Sequence, residues 1–218
     1  MICKLFLPFF LLFSLQAISN EALIENLYKE NSGFIIPLEE DQLIRNAGGE
    51  PTYGEITYDG VHEILKRFKL NKKDCFYDLG CGIGKMVVQV YLTTPVKKSV
   101  GIELSKSRLE TAHKAKKQLK EKKKIKKNRE LIFEENDLLK TNIDDATAVY
   151  IASLCFSDDL MQKLSDKFSK LQKGLKIASL RNLPNAKNCF ELKETAHLPM
   201  TWSTNCPVYF YELVNPEK

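Results

Sequence analysis

The stretch CFYDLGCGIGKMVVQV, residues 75–90, sets an aspartate two residues ahead of three alternating glycines, between two apolar runs. Glycines at that spacing let the backbone turn sharply and approach a ligand at the end of a strand. A dinucleotide loop would carry a further glycine where Lys85 stands, and the negative charge of Asp78 opposes a pyrophosphate. A carboxylate there suits a ligand with a cationic ammonium group, which points to the methionine part of S-adenosylmethionine. Asp78, Gly80, Gly82, Gly84 and Lys85 are the expected loop contacts. Glu103 ends the run VGIEL, 19 residues beyond Gly84, where a carboxylate accepts hydrogen bonds from ribose hydroxyls. Asp137 and Leu138, in ENDLL, end the next run and are expected at the edge and face of an adenine. Each acid taken singly also fits an exposed strand-end carboxylate. Three at consecutive strand ends make the pattern specific.

Such groups must be held by strands that end together. Short β-rich runs are predicted at 75–79, 99–103, 130–134, 148–152 and 175–180, with helical segments at 85–92, 105–127 and 158–170. This alternation implies an α/β fold, a Rossmann-like, mostly parallel sheet with helices on both faces. FELKETAHL and PVYFYELV read as two strands with no helix between them, a C-terminal antiparallel hairpin closing the sheet. Upstream, 21–31 and 59–68 have helical spacing, and 45–57 reads as a turn-rich connector. The 218 residues suit one domain, expected over 53–218, with 20–52 a helical lead and connector.

Residues 1–19, MICKLFLPFFLLFSLQAIS, have the layout of a secretory signal peptide: Lys4, an apolar run, then Ala17-Ile18-Ser19. Export is the expectation, with cleavage after Ser19; an anchor formed by the same residues is the alternative, and no stable membrane span follows cleavage. Of the six cysteines, Cys75, Cys81 and Cys155 sit in or beside apolar runs, and Cys189 and Cys206 are the pair available for a disulfide in an oxidising compartment. No cysteine–histidine spacing suits zinc, so no metal is expected.

Four motifs, in order, resemble the disruptor-of-telomeric-silencing family of non-SET histone-lysine methyltransferases, a branch of the class I fold. They are YGEIT (53–57), DLGCGIGKMVVQV (78–90), ASLCFSDDLMQKLSDKFSKLQKG (152–174) and WSTNCPVYFYEL (202–213). The resemblance implies that Tyr53, Glu55 and Thr57 close over the cofactor. It also places Phe156, Trp202, Tyr209, Phe210 and Tyr211 near a channel for the acceptor amine, with ordinary core packing as the competing reading of those aromatics. Two departures fall in the substrate half. Ala152 and Ser153 stand where the family has an asparagine pair, and Phe210 takes the place of a family tyrosine.

The expected activity is therefore methyl transfer to a protein lysine, with a histone or nucleosome the candidate substrate and delivery into a host cell the way to reconcile export with an intracellular cofactor. A different protein or a small molecule is the alternative acceptor. The run Lys114–Arg129 holds ten basic residues and one acid. It reads either as a solvated helix face or as a phosphate-contacting patch, which leaves open a non-catalytic module that binds chromatin or RNA. A monomer is expected.

Overall fold

The structure, a computed structural model, describes residues 20–184 and 188–217, so the expected signal peptide at 1–19 lies outside the described residues. Seven strands form one sheet: β1 (Cys75–Leu79), β2 (Lys98–Glu103), β3 (Glu130–Glu135), β4 (Ala148–Ile151), β5 (Lys176–Ser179), β6 (Phe190–Met200) and β7 (Ser203–Leu213). Their spatial order is β3-β2-β1-β4-β5-β7-β6. The first five are parallel, while β7 runs antiparallel to both β5 and β6. Every residue of β1 and β4 is buried, which is why β4 reads as an unbroken apolar run and β1 as one interrupted only by Asp78. The chain leaves β1 toward β2 and β3, then crosses back to β4, so strand order reverses between β1 and β4. A ligand crevice belongs at that reversal, beyond the carboxyl ends.

The helices are α1 (20–28), α2 (Leu38–Asn46), α3 (Tyr58–Phe68), α4 (Lys85–Thr93), α5 (Lys106–Glu121) and α6 (Asp158–Phe168). In α6 the Ser157 hydroxyl caps the first turn by accepting from the Leu160 N–H. Leu160, Met161, Leu164 and Phe168 then fall on one buried stripe against β1, β4 and β5. On the opposite face, Val61, Ile64 and Phe68 of α3 join Met86 and Val90 of α4 over Phe76, Tyr150 and Ala178. Among the described residues no helix is long and apolar enough to cross a membrane.

Four expectations need correction. Helix α2 occupies 38–46, where the sequence pattern assigns no element; its stripe is weak because only Ile44 is buried. Helix α5 stops at Glu121 rather than 127. Its apolar anchors end at Leu119, and the chain turns at Lys123, whose left-handed φ of 54° lets the Lys124 N–H return to the Leu119 carbonyl. Arg129 also leaves the basic surface: it donates to the carbonyls of Val96 and Tyr91, with its guanidinium 4.4 Å from the Tyr91 ring centroid. Cys189 and Cys206, the pair available for a disulfide, belong to clusters on opposite faces of the sheet. Cys206 pairs with Leu198, far along β6 from Cys189, roughly 30 Å at the rise of a strand, so no bridge forms between them.

Gly60 sits inside α3 where a Cβ would come within 2.6 Å of the Pro199 carbonyl oxygen on β6. Alanine favours a helix by about 1 kcal/mol over glycine. Overpacking against fixed backbone costs about 1–3 kcal/mol, so the clash wins. Urea unfolding of Gly60→Ala should show a lower midpoint with an unchanged slope.

Candidate active site

A cavity of about 350 Å³ opens beyond the carboxyl ends of β1 and β4. Of the expected residues it is lined by Tyr53, Glu55, Asp78, Gly80, Gly82, Lys85, Glu103, Asp137, Leu138, Phe156 and Trp202. Residues from β1, β2, the loop after β3 and the hairpin thus meet in one place.

The glycine loop is held by two anchors. The N–H groups of Gly80 and Cys81 both donate to the Ile102 carbonyl, at 2.9 and 3.0 Å. The Gly82 N–H donates to Glu103 Oε2 at 2.9 Å, and Glu103 Oε1 accepts from Leu104 and Ser105 N–H, each at 3.0 Å. The acid expected at a ribose is thus also the pin that ties the loop to the second strand. Gly80, Gly82 and Gly84 have φ of 86°, 55° and 83°, which side-chain-bearing residues rarely adopt. At Gly82 the space is closed as well, since a Cβ would lie 2.6 Å from the Tyr53 ring.

Asp78 is only 3% exposed, and its Oδ1 has no hydrogen-bond partner. Burial, and then the charge of Glu103, push its carboxyl up to about 8. An unpaired buried acid is costly to ionise, and a cation delivered into the cavity would relieve that cost.

The roof comes from the lead. The Tyr53 ring lies between Gly33 and Gly82, with the Arg108 guanidinium 4.8 Å from its centroid. Its hydroxyl donates to Glu55 Oε1 at 2.6 Å, and Lys85 donates to Glu55 Oε2 at 2.6 Å. Burial, with Glu55 alongside, raises the Tyr53 hydroxyl. Trp202 packs against Gly54, where a Cβ would come within 2.4 Å of the ring, and stays 45% exposed at the rim.

Five expected residues do not line the cavity. Thr57 caps α3, accepting from the Gly60 N–H and donating to the Pro199 carbonyl. Gly84 starts α4, with Phe133 and Ala112 behind it. Tyr209 packs on the α6 side of the sheet. Phe210 is sealed under Phe68, centroids 6.2 Å apart, with Arg67 at 5.4 Å. Tyr211 donates to Asn182 Oδ1 and accepts from the Leu183 N–H. These aromatics alternate along a strand whose two faces are both covered, so neither set reaches the crevice. Ala152 presents its methyl to the cavity, while Ser153 turns inward to Ser179 Oγ at 2.9 Å and the Arg181 N–H.

Several functional positions escape sequence reading. Arg108 donates to the carbonyls of Gly33 and Pro51, and Glu40 of α2 accepts from Ser105 and Ser107, fastening the lead across the start of α5. Lys167 of α6 donates to the carbonyls of Leu138, Leu139 and Thr141, fixing the loop that carries Asp137. The partners lie 26 to 75 residues apart and leave no local signature. Tyr150, also in the lining, is hidden inside an apolar strand.

The family described as histone methylation protein DOT1 matches residues 35–201. A Drosophila melanogaster histone-lysine N-methyltransferase, H3 lysine-79 specific, is 27% identical over 73% of this chain, which spans about a tenth (10%) of that protein. A Saccharolobus islandicus protein-lysine N-methyltransferase is 36% identical over 24% of the chain and 32% of its own length. Among solved structures, an RNA methyltransferase from Salinibacter ruber, in complex with S-adenosyl-L-homocysteine, superposes with a TM-score of 0.55 at 22% identity. That match covers 72% of this chain and 92% of the other. A putative RNA methyltransferase from Pyrococcus horikoshii gives 0.56 at 13% identity, covering 92% and 98%. These likenesses show the class I methyltransferase fold.

Because Asp78 holds its proton more tightly folded than unfolded, its contribution to stability is complete below the ordinary carboxylate range. That contribution is lost as pH rises toward about 8. Asp78→Asn should flatten this decline and be the more stable protein at pH 8 and above, by on the order of 1 kcal/mol or more. Denaturant unfolding of both proteins across pH 5–9 (roughly the span of one displaced carboxyl titration) measures it.

Proposed function

The chain belongs to the DOT1 family of histone methylation proteins, and from that premise we propose that it transfers a methyl group from S-adenosylmethionine to a lysine amine of a protein, a histone foremost. The observation that carries the reading is Asp78, a buried acid without a partner at the end of β1, beside a loop of three left-handed glycines. Those residues fit the methionine part of the cofactor, Glu103 the ribose, and Asp137 with Leu138 the adenine. Tyr53, Glu55 and Lys85 form the cover above them.

When bound, the cofactor supplies an electrophilic methyl group on a sulfonium centre. The protein has to present an uncharged amine in line with it. A free lysine has a pKa near 10.4, so neutrality at pH 7 costs about 4–5 kcal/mol. An apolar wall lowers that cost by disfavouring the ammonium, and fixed alignment supplies much of the acceleration. Phe156, Leu154 and Trp202 are among the apolar groups at the cavity that can serve this. The reading requires no general base.

A second reading keeps the chemistry and changes the acceptor to another protein or a small molecule. It is favoured by Ala152 and Ser153, which offer the cavity no side-chain amide. The exposed lysines of 114–127 support contact with a nucleic-acid-bearing substrate, and the apolar leader supports export followed by action in another cell's cytosol.

Incubation of the whole chain with methyl-labelled S-adenosylmethionine and nucleosomes, free histones or a cell lysate should label a histone. The same assay with Asp78→Ala/Glu103→Ala should show no label. Label confined to some other band moves the substrate, and a chain that binds nucleosomes but never labels anything is a binding module. In a separate titration, Lys122→Glu/Lys123→Glu/Lys124→Glu should weaken nucleosome binding and flatten its log–log salt dependence by roughly 0.9 for each phosphate no longer neutralised. An unchanged slope would assign the run to a solvated face.

A further inference from the structure

Asp78 and Tyr150 are register partners on the adjacent strands β1 and β4. The row continues through Ala178 on β5 to Phe210 on β7, and Tyr150, Ala178 and Phe210 all pack on the side of the sheet that faces α3 and α4. Tyr150 is 2% exposed and lines the same cavity as Asp78. Its hydroxyl, like Asp78 Oδ1, has no hydrogen-bond partner, and among the described residues only the Tyr28 hydroxyl shares that state. Burying a hydroxyl unpaired is unfavourable, and phenylalanine fills such a position without that cost, as Phe210 does two strands along the row. The lone hydroxyl therefore calls for a partner that arrives from outside.

The direction of the sheet says which part of a ligand it meets. Asp137, Glu103 and Asp78 follow one another along β3, β2 and β1, from adenine to ribose to ammonium in the reading above. The next strand in that direction is β4. A group on β4 meets whatever lies beyond the ammonium, and in the cofactor that is the α-carboxylate on the same carbon. The cationic side chains lining the cavity are engaged: Lys85 by Glu55, and Arg108 by the carbonyls of Gly33 and Pro51. We propose that the Tyr150 hydroxyl donates to the α-carboxylate of the cofactor while Asp78 takes the α-ammonium, so that neighbouring strands clasp the amino-acid end as a zwitterion. Tyr150 is then a positioning residue that fixes the methionine chain, and the proposal rests on the cofactor reading given above.

The test is binding, by calorimetry on the whole chain, of three probes. S-Adenosylhomocysteine has both charged groups, decarboxylated S-adenosylhomocysteine keeps only the ammonium, and 5′-methylthioadenosine lacks both. Wild type should bind the first more tightly than the second. Tyr150→Phe, which removes one oxygen and keeps the ring, should weaken S-adenosylhomocysteine about ten- to a hundredfold, the size of a hydrogen bond to a charged group. It should leave the other two probes unchanged and melt no lower than wild type. Asp78→Asn should instead weaken both probes that carry the ammonium. Unaltered binding of S-adenosylhomocysteine by Tyr150→Phe would overturn the proposal, as would an equal loss on the decarboxylated probe. Wild type that binds none of the three overturns the cofactor reading itself, a result visible before any variant is made.

Discussion

The carboxylate of Glu103 is the interaction on which the cavity depends. It stands at the end of β2, accepts the Gly82 N–H with one oxygen and the N–H groups of Leu104 and Ser105 with the other. Charge-assisted hydrogen bonds of this kind are roughly twice as strong as neutral ones. They hold three successive turns of chain in fixed relation: the glycine loop, the exit from β2 and the first turn of α5. The left-handed Gly82 and the α5 cap residue Ser105 are thus tied to one common acceptor.

The same region contains the opposite electrostatic case. Asp78 lies one strand away, equally buried, and has been given no donor for Oδ1. One acid is spent on the fold and its neighbour is left in want of a partner. In a preformed site a buried group left unpaired gains a great deal from a ligand, while Glu103, held by three N–H groups, keeps acceptor capacity on Oε2 for a ribose hydroxyl. The stability lost in keeping Asp78 unpaired is the reserve that ligand binding can recover.

The lead beyond the sheet is fastened by long-range polar contacts rather than by a deep apolar seam. Glu40 reaches the start of α5, Arg108 reaches back to Gly33 and Pro51, and Tyr53 is wedged between two glycines. Apolar contact comes from α1, through Ile24, Leu27 and Tyr28, from Ile44 of α2 and from Tyr53. Phe34, Ile35 and Leu38 remain largely exposed. A roof assembled this way borders the cavity on the side away from the sheet.

The sequence by itself determined the sheet, the hairpin and the position of the glycine loop, because strand periodicity, buried apolar runs and glycine spacing are local properties. It also placed Asp78, Glu103 and Asp137 at consecutive strand ends, since each follows directly from where an apolar run stops. Helix α2 is illegible in the sequence because its apolar stripe is thin, and the pattern overextends α5 because lysines favour helix while only Leu109 to Leu119 give it a surface to lie on. Tertiary structure alone decided which aromatics reach the cavity: Phe156 and Trp202 do, whereas Phe210 and Tyr211 are buried on opposite faces of the hairpin. It alone revealed Tyr150, Arg108, Glu40 and Lys167, whose roles come from neighbours brought close by strand register and helix packing. Those distances are set by the whole sheet, and no window of sequence contains them.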